Sequence, residues 1–380
     1  MRRWVIIAPE LLSEPGQNSF IQKGLVGFHR LGELGSLSRV ASVPRQETPE
    51  SLLLGISPGV VELRQGPLTV SSLGFDPPER STHFHLSLLS ATDGTAVVPS
   101  VLPRPGEIEA IMAETPRLNS KLLTTLVGER FDHGLVWENL GDLGTTPPTE
   151  LEGKNYEEMM PEGDGESQFR RYIDDSVNLL SSLEVNVRRQ DEGLPPFNLL
   201  WPWGHGRRAA VPNLALVRGE PTWIESPSMR LAGLTRLAGY RHVPRSQFGE
   251  GLQTKFTSIR KRMLDHSSVI VYLPLFANLR RAGLEEEMEW AVREFSVELL
   301  EPLLKEAVQA HDRLALIMPG PLSTGSAANI PASDVGLSVG YEPRAVIEKS
   351  YPVDERSLEE RTLSQRDLPK IVASALSLPD

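Results

Sequence analysis

The chain has 380 residues, a length that suits two domains better than a single core. Lys plus Arg number 39 and Asp plus Glu 50, and the net charge of −11 argues against a surface built to coat nucleic acid or an anionic membrane. With no cysteine, disulfides, thiolate zinc sites, iron–sulfur clusters and cysteine nucleophiles are excluded, so any metal depends on carboxylates and eight histidines.

In chain order, the opening run MRRWVIIAPELLSEP is broken by Pro9 and Glu10 and lacks a small-residue cleavage site, so Trp4–Ala8 reads as a buried strand. No apolar run reaches the roughly 18 residues of a membrane span, and the cytoplasm is the expected location. A helix over Ser19–Leu34 and a strand near Ser38–Val43 give an α/β rhythm. A short helix, PESLLLG, follows, with Pro49 at its first position, and another spans Gly66–Leu73. His83, His85 and Ser87 alternate with Phe84, Leu86 and Leu88, which predicts a strand with partly exposed histidines; Thr92–Gly94 turns it into Thr95–Val98. Gly106–Glu114 reads as a helix.

Between Gly144 and Ser167, seven acidic residues stand against one lysine, the composition of a mobile, solvated surface loop. Phe169, Ile173, Val177, Leu180 and Leu183 then recur at helical spacing. Asn198–Trp203 predicts a strand leading into a glycine turn, and from Val211 the α/β rhythm resumes. Helices are expected over Met229–Ala238 and Gln253–Met263, strands over Val269–Leu273 and Leu314–Met318, and a long helix over Leu284–Ala310, kinked at Pro302. Two α/β stretches around a differently composed middle predict a core of residues 1–103 and 212–380, with an inserted α/β or α+β domain at 104–211.

Three motifs bear on chemistry. GLSVG, Gly336–Gly340, fits the nucleophile-elbow pattern, but Pro343 sits where the elbow's helix should propagate and no histidine follows His311, so it reads as a strand of small residues. GHGRRA, Gly204–Ala209, places two glycines beside His205, Arg207 and Arg208, which suits either an anion-binding loop or a tight turn with solvated arginines. His83 and His85 share one strand face, as two metal ligands would, yet no third ligand lies nearby in sequence. In Asp132–His133 and Asp265–His266 the neighbouring side chains diverge, so neither pair is a dyad by itself.

Several of these segments resemble one family, the archaeal-type cofactor-independent phosphoglycerate mutases of the alkaline phosphatase superfamily. SLLLGISPGVVELRQGPL, Ser51–Leu68, is similar to the family's L-S-L-L-G-Y-D-P and G-R-G-P-L segments. GLPPFNLLWPWGHGRRAAVPNL, Gly193–Leu214, resembles its G-L-P-P-A-N, L-W-G-x-G and P-x-F segment, and MRLAGLTRLAGY and VELLEPLLKEA match two more. The resemblance implies an alkaline-phosphatase-like α/β core with an inserted domain, and phosphoryl transfer through a serine beside two divalent ions. Such ions need clustered aspartates and histidines.

Residue by residue, the expected ligands are replaced. The first-strand Asp-Gly corresponds to Ala8, Pro9 and Glu10; the nucleophilic serine falls on Gln46 and the following aspartate on Glu47. The family's D-E-A-G-H becomes Ala277–Arg281, ANLRR, and its D-H-S/P-T falls within PGPLST, Pro319–Thr324. The arginine of G-R-G-P corresponds to Gln65, with Arg64 one place away.

The expected function is therefore that of a non-catalytic homologue with a binding or assembly role, without a cofactor. A small phosphorylated ligand would meet Arg64, His205, Arg207 and Arg208. A second reading, an active mutase or phosphotransfer enzyme using Mn, Zn or Mg, requires His83, His85, Glu10 and Glu47 to converge. A third is a subunit completed by a protein partner.

Overall fold

The computed structural model describes the chain outside residues 13–19, 22–24, 41–48, 55–62, 99–102, 218–222, 243–254, 320–335, 354–356, 358–364 and 377–380 and the single positions 130, 140, 142, 344, 346, 348 and 352. The chain divides into two compact units, Met1–Val61 with Pro212–Asp380, and Glu62–Val211. In chain order the strands are β1 (Arg3–Ile7), β2 (Ser36–Val40), β3 (Ser81–Thr92), β4 (Thr95–Val97) and β5 (Leu123–Glu129). Then come β6 (Asp132–Glu138), β7 (Leu143–Gly144), β8 (Glu162–Gly163), β9 (Leu199–Gly206) and β10 (Trp223–Glu225). The last are β11 (Arg241–His242), β12 (Ser268–Tyr272), β13 (Arg313–Met318), β14 (Gly336–Tyr341) and β15 (Gln365–Arg366).

The first unit is built on a sheet in the order β11-β10-β12-β1-β13-β14-β2-β15. Strand β1 lies between β12 and β13, parallel to both, with Val5 opposite Ile270 on one side and Ala315 on the other. Parallel strands are covered on both faces, so they read as continuous apolar runs: all of RWVII and SVIVY is buried. Strand β14 runs antiparallel between β13 and β2, so GLSVG is interior sheet, with Ser338 opposite Ser38. Trp4, Phe28, Phe276, Phe295, Leu316 and Val339 belong to the core of this unit.

The long helix expected over 284–310 is three consecutive segments: helix Glu285–Glu294, a π-helical stretch Phe295–Leu300 and helix Glu301–Ala310. Pro302 has no N–H and its ring crowds the preceding turn; the wide turn just upstream is where that conflict is met. Helix Val26–Leu34, shorter than expected, approaches this turn closely. A Cβ on Gly27 would lie 2.9 Å from Ser296 Oγ.

The second unit has an antiparallel sheet, β4-β3-β6-β5, with β9 also paired to β3. Its core joins Phe84, Leu86 and Leu88 to Trp137, Phe169, Ile173 and Trp201, with Trp137 stacked on Phe169 at 4.7 Å. The domain break expected at 103/104 falls inside this unit. Strand β3 pairs with β6 from Ser81 to Ser87 and with β9 from His83 to Leu89, and helix Gln65–Ser72 packs on it, which ties residues from 62 onward to the inserted part.

The segment expected as a mobile acidic loop is folded instead. It contains β7, β8, a helical turn at Pro148–Leu151 and a 3₁₀ turn at Tyr156–Met159. Leu151, Tyr156 and Met160 are buried in the core, anchoring the charged residues between them. Strand β9 likewise runs past the expected glycine turn to Gly206. A β-bulge absorbs one extra residue there, and Gly204 takes the left-handed φ of 61°.

Candidate functional site

In open parallel sheets, ligands are bound at the carboxyl ends of the strands. In the first unit, β1 ends in Ala8, Pro9 and Glu10, with Glu10 at a left-handed φ of 57°. Strand β12 leads directly into helix Leu275–Arg281, which carries the ANLRR segment. There Phe276 and Leu279 pack into the core, and Ala277 is also buried. Gln46, Glu47 and most of Pro319–Thr324 lie outside the described residues. Among the described residues, no group of three or more histidine and carboxylate side chains is arranged to hold a metal ion. Of the segments that the resemblance implies for paired divalent ions, the described strand ends contribute one carboxylate, Glu10, and no histidine.

The second unit holds the polar constellations. His83 and His85 are 2% and 4% exposed, against the expectation of partial exposure, because helix Gln65–Ser72 covers their face of β3. This approach requires Gly66: a Cβ there would run into the carbonyl oxygens of His83 and Gly204. The two histidines do not converge on one ligand position. His83 Nε2 lies 3.0 Å from Ser81 Oγ. His85 Nδ1 lies 2.8 Å from Thr69 Oγ1, while its Nε2 meets Asp132 Oδ1 at 3.4 Å and its ring stands edge-on to Trp203. Burial, with the nearby charge of Arg208, pushes the His83 pKa down to about 4.

Thus Asp132 acts with His85 rather than with its neighbour His133, whose Nδ1 accepts from the Gly128 N–H at 3.0 Å. Thr69, His85 and Asp132 form a relay that only the β3–β6 register, Ser87 opposite Asp132, brings together. Sequence spacing gives no sign of it. Thr69 is fully buried, so the relay serves as an internal tie rather than as an exposed nucleophile.

Of the four anion-binding candidates, the structure joins Arg64 and His205 directly. Arg64 Nη1 donates to the His205 carbonyl at 3.2 Å and lies 3.4 Å from its Nε2, and His205 Nδ1 is 3.1 Å from Thr145 Oγ1. Arg64 is exposed and precedes helix Gln65–Ser72, whose first turn has no side-chain cap. Arg207 and Arg208 follow β9 and are exposed, Arg208 pairing with Asp76 at 3.4 Å. The locus therefore combines guanidinium forks, an imidazole and uncapped N–H groups, which suits an oxyanion. Of the weak metal candidates, His83 and His85 are engaged inside the second unit, Glu10 belongs to the first, and Glu47 lies outside the described residues.

Mixed α/β architecture, a mostly parallel sheet and a large insertion define a class: the fold is alkaline-phosphatase-like. Among solved structures, the cofactor-independent phosphoglycerate mutase of Thermoplasma acidophilum superposes with a TM-score of 0.61 at 18% identity, covering 99% of each chain. A protein from Pyrococcus horikoshii gives a TM-score of 0.71 at 13% identity, over 100% of this chain and 99% of the other. No family model matches the sequence.

Sequence relatives carry the particular name. The chain is 24% identical over 323 residues, 82% of its length and 80% of the relative's, to a Methanosarcina barkeri protein named 2,3-bisphosphoglycerate-independent phosphoglycerate mutase. A Geobacter sulfurreducens protein named as a probable enzyme of the same kind is 22% identical over 76% of this chain and 74% of its own. The chain is thus similar in sequence to these proteins over about three quarters or more of its length, in line with the resemblance that its motifs carry. No helix among the described residues is long and apolar enough to cross a membrane.

Proposed function

We propose that this protein is a non-catalytic homologue of the cofactor-independent phosphoglycerate mutases that binds a small phosphorylated ligand. One observation carries the reading. Where the resemblance places aspartate and histidine ligands for two ions, the chain has Ala8, Pro9 and Glu10, then Gln46 and Glu47, ANLRR over Ala277–Arg281 and PGPLST over Pro319–Thr324, with no histidine after His311. Clamping attacking and leaving oxygens between paired ions needs a dense set of hard donors, and these segments offer two carboxylates, Glu10 and Glu47, and no imidazole. The ligand would be held in the second unit by Arg64, His205, Arg207 and Arg208, through charge-assisted hydrogen bonds to its oxyanion.

The test is metal content of the purified protein, with an assay for interconversion of 3- and 2-phosphoglycerate in added Mn. Neither stoichiometric metal nor interconversion is expected. Stoichiometric metal that supports interconversion would overturn the reading.

A further inference from the structure

A guanidinium presents two hydrogen-bonding edges, and the edge made by Nε–H and one Nη–H matches the two oxygens of a carboxylate or phosphate. Arg262 uses this edge: its Nε and Nη2 both donate to Glu225 Oε1. Arg280 has the same edge, Nε with Nη2, buried and without a hydrogen-bond partner. Among the described residues it is the one arginine in which both atoms of that edge are buried and unmet; Arg3, Arg39, Arg189 and Arg313 each leave a single nitrogen so. Among the described residues, no ion pair engages Arg280 either.

Placement gives this orphaned fork a meaning. Arg280 lies on the short helix that follows β12, next to the carboxyl end of the parallel sheet. It falls within ANLRR, where the resemblance puts ligands for divalent ions. Arg280 as a whole is half-buried, but two N–H donors shut off from water and left unmet are costly, and an oxyanion received edge-on would satisfy both together.

We infer that Arg280 is the anchor of an anion site on the first unit that takes a phosphate group without metal, a fixed side-chain charge standing where the relatives would be expected to place ions. The site is distinct from the Arg64–His205 locus and goes beyond the function proposed above. Its test runs in EDTA, so that a positive mutase assay in Mn would refute the earlier reading while leaving this one to its own measurement.

Inorganic phosphate is titrated against the wild type, Arg280→Met and Arg280→Lys, each in the Arg64→Ala/Arg207→Ala/Arg208→Ala background that silences the second unit, with the thermal midpoint as readout. Phosphate is expected to stabilise the parent. In Arg280→Met the midpoint without phosphate should rise, since two unmet buried donors are gone, and phosphate affinity should fall by about tenfold or more. Arg280→Lys should retain part of the response, because the charge remains but the fork is lost. An unchanged phosphate response in Arg280→Met, or a lower midpoint without phosphate, would show that Arg280 serves an internal partner and would overturn the assignment. Should Arg280→Met fail to fold, the Arg280→Lys titration decides alone: full wild-type affinity would reject the fork.

Discussion

The strand ends of the first unit and the β3–β9 region of the second stand in contrast. Both lie in segments that resemble the phosphoglycerate mutases, and their polar side chains are used differently. In the second unit the matching residues hold the backbone. Asn198 of GLPPFN accepts from the Ala91 N–H at 2.8 Å and donates to the Ala91 carbonyl at 3.1 Å; Trp201 donates to the Thr146 carbonyl; Gly66 admits the helix to β3. In the first unit the parallel strands are held by main-chain bonds and apolar contacts, and the residues at their ends can change identity without disturbing the sheet. A polar side chain that holds backbone is bound up with the fold itself; one at a strand end is free to serve chemistry alone.

The largest test of this contrast is at the buried ion pair of the second unit. Arg189 and Glu107 meet at 2.7 Å, both almost wholly buried, and Glu107→Ala would strand the guanidinium. A loss of about 3–5 kcal/mol is expected in urea unfolding. A loss below about 1 kcal/mol would break the view that polar residues of this unit are structural.

Next in size is a pH effect. The folded pKa of His83 is depressed to about 4, below the ordinary 6.5, so protonation favours the unfolded chain. Stability is intact above pH 6.5 and declines as pH falls from there to 4, by about 3 kcal/mol in all. Urea midpoints across this range should fall in the wild type and flatten in His83→Gln; equal slopes in the two proteins would remove His83 as the cause.

A smaller cost, about 1–3 kcal/mol, is expected for Gly66→Ala, whose added methyl meets backbone rather than a movable side chain. Denaturant unfolding measures it, and a neutral result would mean that the helix Gln65–Ser72 can retreat from β3. The smallest effect sharpens the division between binding and folding. Arg207→Ala with Arg208→Ala should change stability by no more than about 0.5 kcal/mol, both side chains being exposed, while weakening phosphate binding to the second unit in a titration.

Much of the fold was legible. The apolar runs of β1, β12 and β13, the β3–β4 hairpin and the interior-strand reading of GLSVG follow from patterns that local sequence carries. The β5–β6 hairpin and helix Leu368–Leu376 were not anticipated, nor was the folded state of residues 145–166, where buried Leu151 and Tyr156 are too few among carboxylates to form a pattern. Of the candidate site, His205 is readable from glycine and arginine spacing, and Arg64 from its place beside the position of the resemblance's G-R-G-P arginine. Thr145 and Asp132 were missed because register brings them in: they act on His205 and His85 from 60 and 47 residues away.

The bulge in β9 has a further consequence. A regular strand alternates its side chains, and the extra residue breaks that alternation at Gly204 and His205. Pairing resumes at Gly206 opposite His83, so deleting one residue of the pair would let β9 run regularly while the positions after it keep their surfaces. The bulge therefore acts on its own two residues: it sets how His205 meets Arg64, and a deletion of one codon there would undo that meeting while leaving the composition of the strand almost unchanged.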